Sequence, residues 1–85
     1  MQKYTILITK RFKRSFKTLP QNIKQRIYEA ILLLTEKPYI GTKLTGELAG
    51  LLRLRIEDYR IIYMTNEKEK QIILIDVGHR KKIYK

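Results

Sequence analysis

Three arginines, Arg53, Arg55 and Arg60, flank an acidic dipeptide, Glu57-Asp58, in a stretch where apolar and polar residues alternate. A two-residue hairpin closed by Glu57-Asp58 pairs Ile56 with Tyr59, Arg55 with Arg60, Leu54 with Ile61 and Arg53 with Ile62. Strand alternation then sends Leu52, Leu54, Ile56, Tyr59, Ile61 and Tyr63 to one face and the three arginines to the other. Arg55 directly across from Arg60 costs stability, because like charges on a strand pair repel. Such a cost on an open sheet face marks a place to suspect function. The competing explanation is a set of arginines that are solvated or paired with carboxylates, with Asp76 as one possible partner.

Downstream, Val77-Gly78-His79-Arg80 leads into Lys81-Lys82-Ile83-Tyr84-Lys85. An arginine and a tyrosine leaving the sheet beside an arginine face supply a phosphate cradle with a stacking surface. Taken alone, Tyr84 reads more readily as a terminal aromatic packed on the domain, and His79 as an incidental exposed polar residue. No Ser/His/Asp or Cys/His set can be assembled, and the spacing of Gly41, Gly46 and Gly50 is not that of a phosphate-binding loop. No cofactor is expected. The chain has no cysteine and one histidine, which excludes a disulfide scaffold and argues against structural zinc.

Charge extends the same theme. Nineteen Lys and Arg stand against eight Asp and Glu, a formal net charge of +11, and residues 1–26 carry eight basic side chains and no acidic one. A field of this size attracts polyanions: RNA, DNA, an acidic protein or an anionic membrane surface. Apolar runs fall well short of the ~20 residues a membrane helix needs. No signal or transit peptide is read at Met1-Gln2-Lys3-Tyr4, so a cytoplasmic location is expected.

The elements that position these residues fit one domain over 1–85. Tyr4 to Thr9 alternates as a strand. Phe12, Phe16 and Leu19 mark one face of a short helix whose other face is Lys and Arg, and Pro20 breaks it. Asn22 is the expected N-cap of a longer helix carrying Ile23, Ile27, Ala30, Ile31 and Leu34, which ends near Lys37 ahead of Pro38. Tyr39 to Gly50 reads as a loop. Leu51–Ile56, Tyr59–Met64 and Gln71–Val77 read as an antiparallel meander. Tyr4, Tyr28, Tyr39 and Tyr63 are expected in core or half-buried positions. The predicted class is α+β, in the order β-α-α-β-β-β, with a helical hairpin packed on one face of a mostly antiparallel four-stranded sheet.

With these pieces in order, the chain resembles the RelE family of the RelE/ParE toxin superfamily. The resemblance rests on Leu44-Thr45-Gly46, on Leu52-Arg53-Leu54-Arg55 through Asp58-Tyr59-Arg60-Ile61-Ile62-Tyr63, and on Val77-Gly78-His79-Arg80 with Tyr84 four residues on. It implies a type II toxin that cuts mRNA in the ribosomal A site by attack of the ribose 2′-hydroxyl, without metal. It also implies a RelB-like acidic antitoxin, held in a toxin–antitoxin hetero-oligomer. By the same resemblance, Arg60 stabilises transition-state charge, Arg80 serves the departing 5′-oxygen, Tyr84 stacks on a base, and Arg53 contacts the phosphate or the 2′-hydroxyl. Lys43, Arg55, His79, Lys81 and Lys82 are the expected RNA-binding residues around them. Leu51 stands where some members carry a lysine proposed as general base, so the base is open among His79, Lys43, Glu47, Lys82 and the ribosome itself. A ParE-like gyrase inhibitor and a non-catalytic RNA- or ribosome-binding module are the alternatives.

Overall fold

The computed structural model describes residues 3–83. Strand β1 (Thr5–Ile8) runs into helices α1 (Lys10–Lys17) and α2 (Gln21–Glu36), then a short strand β2 (Thr42–Lys43) and a 3₁₀ turn (Gly46–Leu48). Strands β3 (Leu52–Ile56), β4 (Tyr59–Asn66) and β5 (Gln71–His79) complete one sheet in the order β1-β5-β4-β3-β2. The α+β class and the antiparallel meander agree with the sequence reading. The sheet has five strands instead of four, because Thr42 and Lys43, within the expected loop, pair with Arg53 and Leu52. β1 closes the other edge in parallel with β5, from Thr5 beside Gln71 to Ile8 beside Leu74.

The helix starts have local causes. Thr9, expected in the first strand, is the N-cap of α1: its Oγ1 accepts from the Phe12 N–H and donates to the carbonyls of Leu74 and Ile75. α2 begins before Asn22. Pro20, in extended geometry, takes the cap position, and its carbonyl accepts from the N–H groups of Ile23 and Lys24. Phe12, Ile23, Ile27 and Leu34 then face Leu52, Ile61, Tyr63, Ile72, Leu74 and Val77 in one apolar core. Tyr63 is fully buried, and Tyr28 and Tyr39 are exposed, contrary to expectation: at 55% and 49% exposure, Tyr28 lies off the buried stripe of α2 and Tyr39 lies in the turn that follows it.

The buried Tyr63 hydroxyl donates to the Pro38 carbonyl and accepts from the Gly41 N–H, and its burial pushes its pKa up. A Cβ on Gly41 would stand 2.6 Å from that hydroxyl and 2.8 Å from the Arg53 carbonyl, so only glycine lets the chain pass here into β2. Gly41→Ala is expected to lower stability by roughly 1–3 kcal/mol through overpacking, read as a lower urea midpoint at unchanged slope.

At the far end of the sheet, Glu67 accepts from the Tyr39 and Tyr4 hydroxyls. These bonds, Tyr39 first, hold its carboxyl below the usual carboxylate range, and the bond to Glu67 followed by desolvation pushes Tyr4 up to about 12. A depressed carboxyl stabilises the fold above its unfolded pKa, and that contribution is lost as pH falls through the folded value. A raised tyrosine contributes below its unfolded pKa and loses that contribution as pH climbs toward about 12. Glu67→Gln is therefore expected to flatten part of both the acid and the alkaline limbs of a pH series of urea midpoints. An unchanged profile would show that this clamp does not contribute.

Candidate nucleic-acid interface

The β3–β4 register is the one the alternation predicts: Ile56 opposite Tyr59, Arg55 opposite Arg60, Leu54 opposite Ile61, Arg53 opposite Ile62. Arg53, Arg55 and Arg60 therefore share the face away from the helices. Gly78 lies across from Arg60 on β5.

The Glu57-Asp58 turn gathers the arginines. The Glu57 carbonyl accepts from Arg55 Nε at 3.4 Å and from Arg60 Nη1 at 3.2 Å, and the Tyr59 carbonyl accepts from Arg60 Nη1 at 3.1 Å. One oxygen thus draws in two guanidinium groups, offsetting part of the repulsion across the pair. The Arg80 N–H donates to the Asp58 carbonyl at 2.8 Å, which brings the β5 exit beside the same turn, with Arg80 Nε 3.9 Å from the Asp58 carboxylate. Glu57 has φ of 54°, the left-handed region, and its carboxylate pairs with Arg26 of α2 at 2.7 Å.

Among the described residues no carboxylate pairs with Arg53, Arg55 or Arg60. Asp76, the partner the sequence offered, is committed to α1. It accepts from Arg11 Nε at 3.0 Å, from the Ser15 hydroxyl at 2.7 Å and from the Val77 N–H at 2.9 Å. It sits beyond the end of β1, where α1 covers the free edge of β5.

Other expected site residues are distributed unevenly. Lys81 and Lys82 are exposed in the turn after β5. His79 pairs with Tyr59 and stands edge-on to its ring at 5.4 Å, on the helix side of the sheet and away from the arginine face. There it lines a cavity of about 290 Å³ with Ser15, Thr18 and Lys82. Its Nδ1 accepts from the Lys81 N–H at 3.2 Å, so the neutral ring carries its proton on Nε2 and offers the solvent a donor. Lys43, opposite Leu52, shares the helix-side face, and Thr42 shares that of Arg53. Glu47 is exposed in the 3₁₀ turn. Tyr84 lies outside the described residues. Among those described, no group of three His, Asp or Glu side chains can hold a metal ion.

One feature of this face escaped the sequence reading. Beside the arginines lies an apolar hollow of about 200 Å³ lined by Leu48, Leu51, Ile62, Ile75 and Ile83, with Arg11 and Asp76 at its rim. Ile83 folds back so that its Cδ1 lies over Gly78. The signal was present in Ile61-Ile62-Tyr63-Met64 and Ile72-Ile73-Leu74-Ile75, unbroken apolar runs that mark strands covered on both faces.

A family model described as "ParE toxin of type II toxin-antitoxin system, parDE" matches residues 6–84 of this chain. The chain belongs to the RelE/ParE superfamily of type II toxins. It is 31% identical to Toxin RelG of Mycobacterium tuberculosis over 84 residues, 96% of this chain and 97% of that one. In structure this RelE-type toxin is similar to the toxin–antitoxin complex RelBE2 of Mycobacterium tuberculosis, with a TM-score of 0.86 and 29% identity over 92% of this chain and 99% of that one. It is also similar to the archaeal RelE–RelB complex of Pyrococcus horikoshii, with a TM-score of 0.76 and 30% identity over 94% and 98% of the two chains.

Proposed function

We propose that this toxin is a ribosome-dependent mRNA endonuclease that cleaves in the A site by 2′-hydroxyl attack without metal. The observation that carries the reading is the convergence of Arg60, Arg55 and Arg80 on one turn, next to Arg53 on an open face. In the reaction the 2′-oxygen attacks the adjacent phosphorus and the bond to the 5′-oxygen breaks, giving a 2′,3′-cyclic phosphate and a free 5′-hydroxyl. Arg60, already leaning on two carbonyls, is oriented to meet the charge that builds on the phosphoryl oxygens. Arg80 faces the departing oxygen, and Arg53 holds the incoming phosphate. Arginine does not take up a proton at neutral pH. His79 and Lys43 lie on the other side of the sheet, which leaves Glu47, Lys82 and the ribosome itself as sources of the base.

Arg53, Arg55 and Arg60, without carboxylate partners among the described residues, call for an acidic antitoxin, in line with the toxin–antitoxin complexes among the structural relatives. An activity on ribosome-bound mRNA would be exerted in the cytoplasm.

Cleavage of mRNA on programmed ribosomes, mapped by primer extension with free mRNA as control, tests the reading. A-site cuts that require ribosomes support it. Intact mRNA with a folded, ribosome-bound protein would leave a non-catalytic binding module. The match to the ParE toxin family keeps a ParE-like gyrase inhibitor as the second reading. Intact mRNA without ribosome binding, together with blocked gyrase supercoiling, would select it.

A further inference from the structure

We propose that His79 is a positioning residue: its neutral imidazole caps the turn that follows β5 and so holds Arg80 beside the Glu57-Asp58 turn. What Arg80 does there rests on the nuclease reading above; how it is held does not.

The backbone N–H groups of this turn can be followed one by one. Arg80 donates to the Asp58 carbonyl at 2.8 Å, and Lys82 and Ile83 both donate to the His79 carbonyl, at 2.8 and 3.0 Å. Lys81 donates to His79 Nδ1 at 3.2 Å, the one bond of the set that a side chain supplies. The arrangement is that of a helix N-cap. There one residue's carbonyl receives the N–H groups three and four positions on, and its side chain receives the N–H two positions on. Asp and Asn fill that position readily, with an acceptor oxygen bonded to Cγ. Imidazole Nδ1 is also bonded to Cγ, and it accepts only in the neutral ring with the proton on Nε2.

The surroundings keep the ring at this task and away from RNA. It stands edge-on to Tyr59 at 5.4 Å, with the ring planes 80° apart, and Tyr59 is its partner on β4. From α1 only the Ser15 and Thr18 hydroxyls line the cavity beside it, and Pro20 lines it from the cap of α2. The charged groups in that cavity are Asp76 of β5 and Lys82 of the turn itself. Asp76 is already engaged by Arg11, Ser15 and the Val77 N–H, so the Lys81 N–H remains the ring's own bond.

Protonation makes Nδ1 a donor that meets the Lys81 N–H head-on, and the cap is lost. The turn then hangs on the Asp58 carbonyl, the His79 carbonyl and the packing of Ile83 over Gly78. The Arg80 side chain is exposed, and its ion-pair partner among the described residues, Asp58, is 3.9 Å away. Freedom in the turn therefore passes to the guanidinium. A group that must meet a departing oxygen within hydrogen-bond reach loses rate when it is displaced by about an ångström.

The test compares wild type, His79→Ala and His79→Asn in single-turnover cleavage on programmed ribosomes, from about pH 6 to about pH 8. His79→Ala is expected to cut about five- to tenfold more slowly at neutral pH, and His79→Asn to recover most of the rate through its Oδ1. The ratio of wild-type to His79→Asn rate cancels every titration that belongs to the ribosome. It should fall toward acid pH with the midpoint at which the His79 ring titrates by NMR. The Lys81 amide should exchange faster in His79→Ala and be protected again in His79→Asn, a readout that needs no activity. If His79→Ala fails to fold in a urea titration, the ratio and the Lys81 amide of wild type across pH decide the matter. A His79→Asn protein as slow as His79→Ala, with its Lys81 amide protected, would overturn the assignment in favour of an imidazole that touches RNA. A ratio flat with pH, or a Lys81 amide indifferent to the state of residue 79, would overturn it outright. Amides that respond as expected in a protein that cuts no mRNA would leave the cap standing and remove the nuclease reading alone.

Discussion

Arg60→Ala is expected to slow ribosome-dependent mRNA cleavage by about 10²–10³-fold, the usual loss when a preorganised donor to a transition-state oxyanion is removed. Its unfolding midpoint should hardly move. The arginine stands across from Arg55 and makes no salt bridge among the described residues, so its removal deletes a repulsion together with two hydrogen bonds to backbone carbonyls. Arg60→Lys is expected to recover only part of the rate, because a point charge does not reproduce the planar fork that meets two phosphoryl oxygens. Arg80→Ala should fall in the same range, with its backbone N–H still tied to Asp58. Single-turnover cleavage on programmed ribosomes beside a urea titration separates chemistry from folding. An Arg60→Ala protein that cuts at the wild-type rate would remove this residue from the site.

The largest effect on stability is expected at Asp76. Replacing it with alanine withdraws the acceptor from the Ser15 hydroxyl, the Val77 N–H and Arg11 together. Arg11 is largely exposed and recovers water, so its share is small. The Val77 N–H and the Ser15 hydroxyl are more enclosed, and the loss comes to about 2–4 kcal/mol. A domain of this length has roughly 4–13 kcal/mol in total. Thermal or urea unfolding should show Asp76→Ala strongly destabilised, Asp76→Asn intermediate and Arg11→Ala nearly unchanged. Equal losses for Asp76→Ala and Arg11→Ala would mean that the exposed ion pair, and not the cap on the β5 edge, does the holding.

The parts of the fold that follow from local periodicity were legible in the sequence. The hairpin register is the best case: a one-residue slip would bury the arginines, so alternation together with a two-residue Glu57-Asp58 turn gave the register. β2 was not legible, because two residues become a strand only through a partner, and that partner is reached through the Gly41 contact with Tyr63 and Arg53. The fate of Asp76 was hidden for a related reason. The β4–β5 register shifts between Ile62 and Tyr63, where Asp76 and Leu74 are their partners and Ile75 is passed over. Only long-range pairing decides such a bulge, and with it which neighbours the aspartate meets. At the site, residue type and strand alternation placed Arg53, Arg55 and Arg60 together. The separation of His79 and Lys43 from them depended on which face each strand partner occupies.

The parallel β1–β5 pair has a consequence for when this molecule acquires its form. Thr5 lies beside Gln71, sixty-six residues away along the chain. A nascent polypeptide that has not yet presented residues 71–79 has no partner for β1 and no edge for α1 to cover. Gly78 and Arg80 are also missing from beside the β3–β4 turn. Closing so long a loop is slow compared with forming the local hairpin, and until it closes the apolar faces of both helices stand open. Synthesis therefore assembles the arginine face late, and a chain released early lacks that face and is a good substrate for proteases.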